Sequence, residues 1–198
     1  MENMLVFRFL LLLLLVGFVA HRAYYTRKFP PKEEETLAKM SSGTLSKLAN
    51  ILSLIALLSS LIFIIYPSLI SWAIAPFPIW LRWSGMLISL AGFGLLEWSH
   101  RALAANWSDQ PRLMNKQVLV QTGPYQWVRH PIYTAFLLIL GASLLITANW
   151  LVGLAWLSSV VIDIRERVIF EEDIMQKRFG QDYETYRIKT GRLFPKIK

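Results

Sequence analysis

The sequence predicts an all-α integral membrane protein with about five transmembrane helices, the last two folded into a tight C-terminal hairpin. Three observations predict it. Only 17% of the 198 residues are charged and 55% are hydrophobic, whereas a soluble domain carries about a quarter charged residues. Five apolar runs approach the roughly 20 residues that a helix needs to cross a bilayer. Lysine and arginine are also unevenly shared: six fall in residues 21–50, four in 101–131 and nine in 163–198, leaving only Arg8 and Arg82 elsewhere. If every run spans, the three rich segments share one side, which the positive-inside rule makes cytoplasmic, with the N-terminus outside. The net charge of +8 then reads as membrane orientation and anionic lipid rather than nucleic acid. Cysteine is absent, which excludes disulfides, thiolate metal sites and a cysteine nucleophile.

The first run extends from about Met4 to Ala20 through the leucines of positions 10–15. A signal peptide cleaved after Ala20 is the alternative there. The dense positive charge follows the run, at Arg22, Arg27, Lys28 and Lys32, as in an anchor whose N-terminus is outside. Pro30, Pro31 and Glu33 to Glu35 mark a polar loop. The second run, Leu45 to Tyr66, stops at Pro67, and Pro67 to Ile79 suits an interfacial turn. The third runs from Trp80 to about Leu96, with Trp80 and Trp83 at belt depth. Glu97, His100 and Arg101 then lead into the polar zone. The fourth and fifth, Ile132 to Ala148 and Trp150 to Ile162, are short and nearly contiguous, which predicts the hairpin. The fifth continues as an amphipathic helix to Phe179, with Gly180 as its C-terminal cap.

Chemistry concentrates on the cytoplasmic side. Lys116 to Val120 reads as a short extended piece, and Thr122-Gly123-Pro124 as a turn. Arg129-His130-Pro131 leads into the fourth helix, with Pro131 in its first turn. That helix start offers free N–H groups and a partial positive charge to an anion such as a carboxylate. Taken singly, Arg129 and His130 also suit interfacial anchoring, and Tyr125, Trp127 and Tyr133 suit an aromatic belt. In the helical stretch after Ile162, Asp163, Arg167 and Glu171 recur every four residues on one face. Charges at a lipid boundary are expensive and tend to mark a site. A guanidinium holds a carboxylate bidentately, and a carboxylate one turn away can hold an ammonium. A solvated ladder of ion pairs is the plainer reading of the same residues.

The ordered set of motifs carries a resemblance. It comprises Leu119-Val120-x-x-Gly123-Pro124-Tyr125, then Val128-Arg129-His130-Pro131-Ile132-Tyr133, then Arg167-x-x-x-Glu171-Glu172. Phe179-Gly180-x-x-Tyr183-x-x-Tyr186 and Gly191-Arg192-Leu193-Phe194-Pro195 follow. From about Asn106 onward the chain resembles the isoprenylcysteine carboxyl methyltransferase family, including its prokaryotic members, and more loosely the phospholipid methyltransferases. The resemblance implies a cytoplasmic pocket for S-adenosyl-L-methionine. Its contacts would be Gln117, Val118, Leu119, Val120, Tyr125, His130, Pro131, Ile132, Tyr133 and Glu171, with Gln110 as a further match. Arg167 matches the arginine that holds the substrate carboxylate and is the one catalytic residue carried over. No metal is implied. Residues 1–105 would form three N-terminal spans and 106–198 the methyltransferase region. The expected partners are membrane lipid and a lipophilic or lipidated acceptor, with no nucleic acid. Carboxyl methylation is the expected activity. N-methylation of a phospholipid or other amine, nicotinamide-dependent reduction as in sterol reductases, and a non-catalytic scaffold are the alternatives.

Overall fold

The computed structural model describes residues 2–30, 36–37, 43–108, 112–113 and 118–196. The expected loop around Glu33 to Glu35 lies outside them. Six α-helices carry the described fold: α1 (Glu2–Lys28), α2 (Thr44–Ile65), α3 (Ile79–Leu103), α4 (Pro131–Thr147), α5 (Trp150–Phe179) and α6 (Gln181–Lys189). Two short strands, β1 (Thr36–Leu37) and β2 (Arg112–Leu113), pair antiparallel. Among the described residues, α1 from Met4, α2 and α3 are each long and apolar enough to cross a membrane. Their exposed Leu, Ile, Val and Trp side chains suit a lipid surround. The chain is a multi-pass integral membrane protein.

As expected, α3 continues past Leu96 through Glu97, His100 and Arg101, ending at Leu103, and Glu97 bonds Arg101, His21 and Tyr25. The extended piece at Lys116 to Val120 is not seen as a strand. Residues 118–120 have no regular secondary structure, and 114–117 lie outside the described residues.

Packing follows the positions of small residues, as in membrane bundles, where close van der Waals contact replaces the hydrophobic drive. α3 lays Gly85 and Gly92, two turns apart, against α4. α2 meets α5 along a polar seam at heptad spacing. There Ser46 donates to Glu166 (2.5 Å), Ser53 pairs with Ser159 (2.5 Å), and Ser60 accepts from Trp156 Nε1 (3.0 Å). The two cations of the sparse side close helix ends. Arg8 Nε donates to Ile64 O at the end of α2 (2.6 Å), and Arg82 donates to Ile146 O at the end of α4 (3.0 and 2.9 Å). Terminal helix carbonyls lack intrahelical partners, so each arginine finds an acceptor at a helix end.

The expected hairpin joins α4 to α5 through Ala148 and Asn149. Asn149 is fully buried. Its side chain caps α5 by accepting from Val152 N (3.2 Å), and its Nδ2 donates to Ile70 O (2.9 Å). The arms touch at Gly153, where a Cβ would lie 2.3 Å from Leu144 Cβ and 2.4 Å from its Cα. Gly153→Val should therefore splay the hairpin. Overpacking of this kind costs about 1–3 kcal/mol, and a thermal unfolding midpoint in detergent within one degree of wild type would refute so close an approach.

Candidate functional site

The site forms beyond the C-terminal end of α3, and backbone bonds set it up. A single 3-10 turn, Gly123–Gln126, swings the chain beneath α3 and buries Tyr125. Residues 127–130 then run beside residues 191–192. Gly191 N donates to Trp127 O (3.0 Å), Arg129 N to Gly191 O (2.9 Å) and His130 N to Arg192 O (3.1 Å). Only glycine fits that strip's bend, since a Cβ at Gly191 would lie 1.7 Å from Phe194 O. Thr134 Oγ1 donates to Leu193 O (2.5 Å), and the Tyr186 hydroxyl to Tyr125 O (2.7 Å). The start of α4, with Pro131 in its first turn, is thus fixed to a segment some sixty residues further along the chain.

A charged knot lies behind this strip. Glu172, on α5, accepts from Arg129 Nε and Nη2 (3.1 and 3.0 Å) and from Arg192 Nε and Nη2 (3.2 and 2.6 Å). Arg129 spends its remaining nitrogen on Arg187 O (3.1 Å) and Thr190 O (2.5 Å). The Glu172 and Arg129 side chains are each only 8% exposed, so the pair is buried, and Arg129 is no surface anchor. Burial alone would raise the Glu172 carboxyl, but His130, Arg192 and Arg129 outweigh it and hold it down at about 2. His130 lies 3.4 Å from Glu172 through Nε2 and 3.4 Å from Glu171 through Nδ1. Burial pulls its pKa down, yet the two carboxylates win and raise it above its ordinary value. Its Nε2 is buried without a hydrogen bond.

A cavity of about 170 Å³ opens in front of the knot. Val118, Leu119 and Val120 line it from the loop, with Tyr125 from the turn. His130, Ile132 and Tyr133 line it from the start of α4, and Arg167 and Glu171 from α5. Of the remaining expected contacts, Pro131 is buried but does not line the cavity, and Gln117 lies outside the described residues, as does Gln110. The four-residue ladder on α5 is divided. Arg167 Nε donates to both Asp163 oxygens (2.9 Å each) rather than to Glu171. Among the described residues its two terminal nitrogens make no hydrogen bond. Glu171 instead accepts from the Tyr133 hydroxyl. On the α5 wall the cavity thus presents one carboxylate, Glu171, and one arginine, Arg167, a helical turn apart.

Sequence reasoning missed part of the wall. Arg22 from α1, His100 from α3 and Trp107 after it also line the cavity, and no motif marks them. Tyr183 and Tyr186 line it as well. Their three-residue spacing within the Phe179-Gly180 motif was the available signal.

Comparisons with known proteins bear on the family and the fold. The family model described as phospholipid methyltransferase matches residues 80–182. A protein-S-isoprenylcysteine O-methyltransferase of Tribolium castaneum is 27% identical over 121 residues, covering 60% of this chain and 43% of that one. The chain therefore spans less than half the length of that curated relative. A solved structure of a eukaryotic intramembrane Ras methyltransferase, isoprenylcysteine carboxyl methyltransferase, superposes with a TM-score of 0.59 at 19% identity. That superposition covers 94% of this chain and 67% of the other, and shows a shared fold.

Proposed function

The chain belongs to the phospholipid methyltransferase family, and from that premise we propose that it is a membrane-embedded S-adenosyl-L-methionine-dependent methyltransferase acting on the carboxylate of a lipophilic, isoprenylcysteine-like acceptor. The observation that carries the reading is that Glu171 and Arg167 stand on one cavity wall, unpaired with each other, while Glu172 is consumed by Arg129 and Arg192.

The cavity's groups fit the cofactor. Glu171 suits its ammonium, the helix start at Pro131 suits its carboxylate, and the rings of Tyr125, Tyr133 and Tyr183 suit both a flat base and a sulfonium cation. When bound, S-adenosylmethionine supplies a methyl group on a positively charged sulfur that departs as a neutral thioether. The chain's own residues then have little bond chemistry to perform. A carboxylate acceptor is already ionised at neutral pH, so no side chain need take a proton. Arg167 orients the acceptor oxygen through its terminal nitrogens while Asp163 fixes Nε. The buried aromatic wall excludes water, which leaves alignment as the main contribution. In this reading residues 1–105 form the membrane-embedded wall and 106–198 the catalytic region. The hairpin of α4 with the first half of α5 supplies the fourth and fifth spans, and the cavity faces the cytoplasm.

The description of the matching family model favours a second reading, N-methylation of a phospholipid amine. An ammonium acceptor must first lose a proton, and the 3.4 Å approach of His130 to Glu171 is the place to put one. The deciding experiment supplies purified protein with labelled S-adenosylmethionine and either an S-prenylated N-acetylcysteine or phosphatidylethanolamine. A 14-dalton gain on the acid alone supports the main reading, and a gain on the amine alone replaces it. Arg167→Ala should keep cofactor affinity within about threefold and lower turnover on the acid by about 100-fold, the weight of a charge-assisted bidentate contact. Wild-type turnover would remove Arg167 from the acceptor site. For orientation, a cysteine placed at Lys189 should react with an impermeant maleimide only from the cytoplasmic face.

A further inference from the structure

The segment after α6 carries a surface that the cavity does not use. Residues 187–196 hold Arg187, Lys189, Arg192 and Lys196 and no acid. Two of these cations are spent: Arg187 Nη2 donates to Glu184 (3.1 Å) and Arg192 Nη2 to Glu172 (2.6 Å). Lys196 Nζ donates to a carbonyl, Ile188 O (2.9 Å). Among the described residues neither Lys189 nor Lys196 has an acidic partner. Between these two lysines the chain runs Leu193-Phe194-Pro195. Leu193 packs against the helical core, and its carbonyl accepts from Thr134 Oγ1 in the first turn of α4. Phe194, beside it, is 65% exposed.

A phenyl ring held in water forfeits the free energy of leaving it, and the surroundings of Phe194 point to what covers it. The same strip bonds Trp127, whose carbonyl accepts from Gly191 N (3.0 Å). Trp127 is half-exposed and meets the half-exposed Trp98 edge to face, with 5.8 Å between ring centres. Trp98 belongs to α3, a helix long and apolar enough to cross a membrane. Indole rings gather at the depth where acyl chains give way to headgroups. Residues 191–194 thus adjoin the lipid-facing surface of α3 through this pair of rings. α6 presents a different face outward. Its Tyr183 and Tyr186 are buried toward the site, while Gln181 and Thr185 are exposed.

We propose that Phe194 is a wedge seated among the acyl chains of the leaflet, with Lys189 and Lys196 on the phosphates of anionic lipid. The occupant is a lipid surface rather than a soluble protein, because the ring adjoins the Trp98–Trp127 belt and is flanked by cations without acidic partners. A lysine close to an anionic leaflet is attracted to it, and its alkyl stem can lie along apolar surface while the ammonium reaches the headgroups. Lipid bound there braces residues 191–193, and through them the start of α4. Neither contact depends on what the site methylates.

The chain has no cysteine, so a single introduced thiol carries the only label. An NBD fluorophore on Phe194→Cys is placed in nanodiscs of equal parts phosphatidylcholine and phosphatidylglycerol. A nitroxide high on the acyl chain should quench it about threefold more than the same label on Thr185→Cys. Equal quenching at the two positions would overturn the wedge. In detergent, added phosphatidylglycerol should raise the unfolding midpoint of the wild-type protein by about 4 °C, and phosphatidylcholine by less than about 1 °C. Replacing both lysines, Lys189→Gln with Lys196→Gln, should erase that difference. A double variant that keeps it would overturn the phosphate contact. The same gain from glycerol phosphate, which has the charge and no acyl chains, would overturn the lipid surface. A Phe194→Cys variant that crosslinks to a second copy under oxidation and is not quenched would give the patch to a dimer instead.

Discussion

Glu171→Gln is expected to weaken S-adenosylmethionine binding by about 100-fold or more, measured by calorimetry on detergent-solubilised protein. The side chain is 27% exposed and faces the cavity, and the Tyr133 hydroxyl and His130 already fix its position. An ammonium bound there gains a preoriented counter-charge without paying to order it. The amide keeps the shape and can still accept from Tyr133, so the change removes charge and little else. Breaking a desolvated ion pair by deleting one partner costs about 3–5 kcal/mol, and each 1.4 kcal/mol is about tenfold in affinity. A change of less than about threefold would take Glu171 out of contact with the cofactor.

Glu172→Ala should have the largest effect on stability. It removes the carboxylate from a knot in which Arg129 is 8% exposed and strands a buried guanidinium, again at about 3–5 kcal/mol. Arg192→Ala should cost less, near the roughly 1 kcal/mol of an exposed pair, because that side chain is 53% exposed and Arg129 would still neutralise Glu172. Unfolding midpoints that rank the two variants the other way would refute this account. The knot also sets a pH window. The folded pKa of Glu172 is depressed to about 2 from an ordinary 4.5. Its contribution is therefore complete above the ordinary value and is lost as pH falls toward 2. His130 is raised above its ordinary 6.5, so its contribution is complete below that value and is lost as pH climbs through the raised one. Wild-type stability should therefore peak in mildly acidic buffer, and Glu172→Ala should flatten the acid limb.

What could be read in the sequence was local. The apolar runs, Pro131 in the first turn of α4, the Asn149 turn and the Gly180 stop are each decided by a few neighbouring residues, and each stands where expected. The Asp163, Arg167, Glu171 spacing placed all three on one face, but spacing cannot say which way an arginine turns. Arg167 took Asp163, because Glu171 is held by Tyr133 from another helix. Arg129 looked like an anchor because its partners, Glu172 and the carbonyls at 187 and 190, lie 43 to 61 positions away. Arg22 and His100 read only as polar residues at the ends of apolar runs. Their part in the cavity depends on how α1 and α3 pack, and a lipid-facing helix and a cavity-lining helix have nearly the same composition.

The bond between residues 127–130 and residues 191–192 has a consequence for biosynthesis. The ribosome makes Tyr125 and His130 well before it makes Gly191, and α4, α5 and α6 must emerge in between. Glu172 emerges with α5, but until α6 and the residues after it are made the Arg129 guanidinium lacks the carbonyls of residues 187 and 190, and Tyr125 lacks the hydroxyl of Tyr186. The hairpin must therefore be complete before the site can close, and a nascent chain stalled after α5 would lack the strip that holds the start of α4.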